Sequence, residues 1–119
     1  MNEIGDRQGS GRVYRVDRFV VPGAARDEFL ARVRATHEVL KRQAGFLQDL
    51  LLEEPRGPDA SQIVTIVEWE SPGAIPPARA AVQAMHRQTS FDPQEMMARL
   101  GIDADLGIYR QIRREAPAG

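Results

Sequence analysis

Residues 46–71 read FLQDLLLEEPRGPDASQIVTIVEWES: two apolar, β-prone runs, Phe46 to Glu53 and Ile63 to Glu70, parted by a segment rich in proline and charge. The economical reading is an antiparallel hairpin with an exposed loop. Both runs are apolar on both sides. Val64 and Ile66 alternate with Ile63, Val67 and Trp69, and Leu47 and Leu51 alternate with Phe46, Leu50 and Leu52. A sheet with one wet face carries polar residues at every second position, so this hairpin calls for cover on two faces. Helices of the same chain supply one cover. A second copy of the sheet, in a two-fold homodimer, is the simplest source of the other.

Upstream, Val13 to Val21 reads as a strand closed by Pro22-Gly23, with Arg15, Asp17 and Arg18 interrupting its apolar pattern. From Ala24 to Gln43 there is no Pro or Gly. Phe29, Leu30, Val33, His37 and Leu40 recur there at three- and four-residue spacing, which predicts a helix with one buried stripe. Gly45 follows, where a left-handed C-cap is expected. Downstream, Ser71-Pro72-Gly73 breaks the third strand, and Pro76-Pro77 suits the first turn of a helix whose apolar face is Ala78, Val82, Met85 and Thr89. Asp92-Pro93-Gln94-Glu95 carries an N-cap acid and a first-turn proline, marking a short further helix that ends near Gly101. Leu106 to Ile112 is the last strand, with Leu106, Ile108, Arg110 and Ile112 on one face. The order strand, helix, strand, strand, helix pair, strand predicts an α+β fold with a four-stranded antiparallel sheet and helices on one face, the split βαβ arrangement.

At 119 residues the chain holds one core and has no room for a second domain. The expected domain spans residues 12–113, between a Gly-rich flexible leader, 1–11, and a flexible tail, 114–119. With 16 Lys+Arg against 17 Asp+Glu there is no strong field for nucleic acid or an anionic membrane, so small molecules and a second copy are the expected partners. The absence of cysteine excludes disulfides, thiolate metal sites and a Cys nucleophile, which makes the cytoplasm the default compartment. No signal-peptide pattern opens the chain, and no run approaches a membrane span.

Over about Val13 to Ile112 the chain resembles the antibiotic biosynthesis monooxygenase family. The resemblance lies in the strand leading into Val21-Pro22-Gly23 and Glu28-Phe29-Leu30, in Ala44-Gly45-Phe46-Leu47, and in Val67-Glu68-Trp69-Glu70-Ser71. It implies a ferredoxin-like βαββαβ chain that pairs into a dimeric α+β barrel. It also implies small oxygenases that convert aromatic or polycyclic phenols to quinones without metal, flavin or haem. Relatives of this fold degrade haem, and others are cyclases or isomerases, so the fold alone does not fix the reaction.

Trp69 is the sharpest candidate for binding substrate, because the resemblance places an aromatic residue at this strand end, facing the cleft between sheet and helices. A core tryptophan at a strand terminus is the competing reading. His37 on the first helix and His86 on the second are candidates for removing a phenolic proton, against the commoner fate of a helix histidine that is satisfied or exposed. Arg110 is the candidate for stabilising negative charge, and Tyr14, Tyr109 and Arg18 are further substrate-binding candidates. Strand tyrosines and arginines are more often packing or structural charges. Arg32, Arg34, Lys41 and Arg42 intermix with Glu28 and Glu38 and read as a solvated helix face.

No metal site is expected: His37-Glu38 is followed by Lys41 at the position where a zinc helix needs its second histidine. The haem-degrading relatives carry an Asn on the first strand, where this chain has none, and His86 follows Trp69 later than their pattern wants, so haem degradation is disfavoured. The functional reading is a cofactor-independent monooxygenase acting on a small aromatic or polycyclic compound. The alternative is a non-catalytic dimeric small-molecule-binding or accessory protein of the same fold.

Overall fold

The computed structural model describes residues 11–112. The readings of a leader and a tail lie outside these residues, apart from Gly11. Strand β1 (Val13–Pro22) is followed by a 3-10 turn and helix α1 (Arg26–Leu40), then by the hairpin β2 (Phe46–Pro55) and β3 (Ala60–Trp69). Helices α2 (Ile75–Gln88) and α3 (Pro93–Leu100) precede β4 (Asp103–Tyr109). The strands form one sheet in the order β2-β3-β1-β4, with every neighbouring pair antiparallel. Each helical crossing skips a strand, which puts β1 and β3 at the centre and gives the expected ferredoxin-like α+β fold.

Several local expectations shift. The hairpin strands run further than their apolar stretches, because Gly57 turns with φ 74° and Arg56 N–H donates to the Ala60 carbonyl at 2.9 Å, closing the loop tightly. β4 starts three residues early: Gly101, at φ 72°, ends α3, Ile102 drops into the core, and Asp103 already pairs with Val20. Gly45 does adopt a left-handed φ of 88°, but as the turn into β2, since α1 ends at Leu40 with Lys41 still right-handed. Thr89 is an exposed C-cap that donates to the Met85 carbonyl at 2.9 Å, so the buried side of α2 is carried by Ile75 and Ala78.

On the helix-facing side of the sheet, β1 contributes Val13, Arg15, Asp17, Phe19 and Val21, and β3 contributes Ile63, Thr65, Val67 and Trp69. The apolar residues on this side do not form one continuous core. One cluster holds Phe19, Val21, Phe29, Leu30, Ile63, Met96 and Ile102, while a second holds Val13, Val67, Trp69, Ile75 and Ala78. Arg15 and Asp17 fall between Val13 and Phe19 on the same face, so the break between clusters follows from the sequence of β1.

The other side of the sheet carries an apolar row, Val16, Ile66 and Leu50, beside Val64, Leu52 and Val20. Leu50, Leu52 and Val20 are 46%, 48% and 42% exposed in the single chain. Polar groups bound the row: Glu68, Tyr14 and Gln48 at one end, Gln62 and Glu54 at the other, and the Arg18–Asp105 ion pair on the flank toward β4, beside Val64. No helix among the described residues is long and apolar enough to cross a membrane.

Candidate active site

Between the two core clusters, and between sheet and helices, lies a cleft of about 410 Å³. Its floor is made by Arg15, Asp17, Thr65, Val67 and Trp69; Arg32, Thr36 and His37 of α1 and Arg79, Val82, Gln83 and His86 of α2 overhang it. Phe91, Met96 and Met97 line it from the loop and helix beyond α2. Toward β4 it opens on Leu106, which stays 53% exposed. A mostly apolar hollow with a few convergent polar groups is the usual form of a small-molecule site.

The polar groups are held in defined ways. The period-two alternation of β1 aims Arg15 and Asp17 into the same space, and Arg15 Nε donates to Asp17 Oδ1 at 2.7 Å. In register, Asp17 neighbours Thr65, whose side chain is buried on the floor. His37 comes from the stripe of α1, is only 6% exposed, and places Nδ1 2.8 Å from Asp49 Oδ2 on β2. His86 packs edge-on to Phe91, with ring centroids 5.2 Å apart, and the Arg32 guanidinium lies 3.9 Å from the centroid of the same Phe91 ring. Burial, and then the positive charge of Arg32, hold the His86 imidazole below the ordinary histidine range, with Asp92 opposing weakly. His86 is therefore a neutral acceptor or donor near pH 7.

Of the residues singled out from sequence, Trp69, His37 and His86 come together in this cleft. Trp69 is 3% exposed and stands edge-on to Phe46 at 5.9 Å, so it is a core residue and a cleft wall at once. Tyr14, Arg18 and Tyr109 do not enter the cleft. They sit at even β1 positions and their β4 partners, which the pleat turns to the opposite face, where Tyr14 meets Glu68 and Arg18 meets Asp105. Arg110 also lies away from it, exposed just past the last residue of β4. Arg32, read as part of a solvated face, instead overhangs the cleft, because it flanks Val33 on the buried stripe. Arg79 and Asp49 were not singled out. Asp49 had a legible signal, as a lone acid among the leucines of β2. Among the described residues, no three His, Asp or Glu side chains gather as a metal site requires.

Residues 12–89 match the family described as antibiotic biosynthesis monooxygenase. Among solved structures, a variant of SnoaB, a cofactor-independent oxygenase from Streptomyces nogalater, is 27% identical, with 91% of this chain and 99% of that chain aligned at a TM-score of 0.60. A protein of Shewanella loihica PV-4, provisionally named a monooxygenase, aligns over 88% of this chain and 98% of its own, with 20% identity and a TM-score of 0.63. A variant of MhuD, crystallised with two manganese protoporphyrin IX molecules per active site, aligns over 88% and 99%, with 21% identity and a TM-score of 0.62. Below a quarter identity, the last two likenesses speak for the fold alone. No curated protein matches the sequence at a significant level. With a matched segment that runs from the start of β1 to the end of α2 and so takes in most residues of the cleft, this chain belongs to the antibiotic biosynthesis monooxygenase family.

Proposed function

We propose that the protein is a cofactor-independent monooxygenase of a small aromatic or polycyclic phenol, bound in the cleft between sheet and helices. The observation that carries this reading is the cleft itself: about 410 Å³, large enough for a fused-ring compound, with Trp69 as a wall and two imidazoles and three guanidinium groups along its lining. A closed apolar space would have favoured the non-catalytic reading; the convergence of His37, His86, Arg15, Arg32 and Arg79 favours chemistry. The family match and the likeness to SnoaB support the same reaction class.

In this reaction a phenol that loses its proton becomes electron-rich enough to reduce dioxygen. One oxygen atom enters the ring and the other leaves as water, giving a quinone, so that the substrate supplies all four electrons that reduce dioxygen and no external reductant is consumed. A histidine takes the phenolic proton, and the cleft arginines stabilise the phenolate and the reduced oxygen species electrostatically. The protein works as a homodimer, joined through the apolar row on the far side of the sheet.

Oxygen uptake and product analysis with a panel of hydroxylated aromatics test the reading. The expected result is one O₂ consumed per quinone formed, with one atom of ¹⁸O₂ in the product. Turnover falls at least tenfold in Trp69→Ala and in variants of the histidine that takes the proton. No uptake with any member of the panel, or turnover indifferent to Trp69 and to both histidines, overturns it.

A further inference from the structure

His37, which is buried, and Asp49, which is half-buried, are an ionisable pair at the edge of the cleft, their side chains 8% and 22% exposed and 2.8 Å apart. Stability gives little reason for such a pair, since taking two polar groups out of water costs more than packing apolar ones in their place. The geometry gives another reason. Asp49 accepts from Nδ1, which fixes the ring orientation and puts the neutral imidazole's proton on Nδ1. The Nε2 lone pair is then left free on a residue that lines the cleft. His86 has no such arrangement: its ring rests on Phe91, and no carboxylate orients it among the described residues.

We infer that His37, oriented by Asp49, is the group that removes the substrate's phenolic proton. The inference rests on the proposed function and sharpens it by choosing between the two histidines and by giving Asp49 a role. In the step, the substrate O–H bond breaks and its proton forms a bond to Nε2 of His37. The electron pair stays on oxygen, giving a phenolate beside an imidazolium whose new charge faces the Asp49 carboxylate. No oxidant takes part in this step. His37 is the catalytic residue and Asp49 a positioning residue, which holds the tautomer and stabilises the imidazolium.

The test uses 2-naphthol under nitrogen at pH 7.5, where the free compound is neutral and its anion absorbs at longer wavelength. Calorimetry measures binding and absorbance measures the ionised fraction of the bound ligand. The expected result is that the wild-type protein binds naphthol largely as the anion. Asp49→Asn and His37→Gln bind it within about threefold of wild type but with the anion-to-phenol ratio reduced at least tenfold. Asp49→Asn is the safer variant, because it keeps the shape of the pair. A merely structural role would change affinity or stability and leave the ionisation of bound ligand where it was. Naphthol bound as the neutral phenol in the wild type, or still ionised in both variants, overturns the inference and leaves the cleft as an aromatic site. No binding at all to the wild type removes the cleft reading, and the inference with it.

Discussion

Glu68 shows how a charge can sit inside an otherwise apolar strand. It is 4% exposed, on the sheet face away from the helices, and accepts from Gln48 Nε2 at 2.7 Å, Arg12 Nη1 at 3.1 Å and the Tyr14 hydroxyl at 3.3 Å. Burial, and then the charge of Glu68, raise the Tyr14 phenol, so Tyr14 stays a donor throughout the neutral range. A buried charge stripped of partners is worse than no charge, so the triple change Arg12→Leu, Gln48→Leu and Tyr14→Phe should lower stability by about 3 kcal/mol, whereas Glu68→Leu should cost under about 1 kcal/mol. Urea unfolding at one protein concentration checks the order; equal losses would mean that the network contributes little. Glu68 and Asp17 are both legible in the sequence as strand acids that could partner strand arginines. Which arginine takes which acid was not visible, because it follows from the register: Arg15 turns inward with Asp17, while Glu68 turns outward to Arg12. The same alternation separates the cleft residues Arg15 and Asp17 from Tyr14 and Arg18, and reading β1 strictly in twos would have found the right pair.

At the scale of elements, two glycines with similar φ make a clean contrast. Gly45 has φ 88°, and a Cβ there would lie 2.6 Å from the Ala74 Cβ in the turn before α2. Gly101 has φ 72°, with its nearest neighbour, a Pro22 side-chain atom, at 3.9 Å. Gly101→Ala should therefore cost only the left-handed penalty, roughly 1–2 kcal/mol. Gly45→Ala adds an overpacking cost of about 1–3 kcal/mol and should shift the α1–β2 turn against α2; thermal unfolding of the two variants separates them. That Gly45 was special could be read in the sequence, but its neighbour Ala74 is distant in the chain and could not. A second element-scale effect is the tie between α1 and β2. Arg26 Nε and Nη2 donate to Glu53 at 2.7 and 2.8 Å, and this pairing draws the Glu53 carboxyl down to about 2. A carboxylate depressed in the folded state stabilises the fold above its unfolded value of 4.5 and loses that contribution as pH falls toward about 2. Wild type should thus lose stability across that window more steeply than Glu53→Gln, as measured by urea midpoints at a series of pH values. Parallel curves would show that solvent screens the pair into insignificance.

On the scale of the whole molecule, the fold was legible because each element carried its own punctuation: Pro22-Gly23, Asp92-Pro93 and Gly101 stand at the ends the structure shows. The cleft was only half legible. Trp69, His37 and His86 announced themselves by residue type, but the gap they share exists because two core clusters fail to meet, and that depends on contacts of β1 and β3 with α1, α2 and α3. The doubly apolar hairpin, from which the architecture was first read, leads to a last consequence. One side of it lies under the helices. The other presents Val16, Val64 and Ile66 in the middle and Leu50, Leu52 and Val20 at 42–48% exposure, a contiguous apolar surface of the kind that single chains rarely leave in water. A two-fold copy of the same sheet would cover it, with the Glu68 network and the Arg18–Asp105 pair near its rim fixing the orientation. Sedimentation equilibrium should therefore give about 26.6 kDa, twice the 13.3 kDa chain. Leu50→Lys with Leu52→Lys should give monomer, since each lysine would bury an unpaired charge in the interface while remaining solvated in the free chain. Both positions are exposed in one copy, so an unchanged far-ultraviolet circular dichroism spectrum should accompany the loss of mass. A wild-type protein that sediments as monomer would mean that the apolar row tolerates water after all, and a double variant that stays dimeric would move the interface to another face.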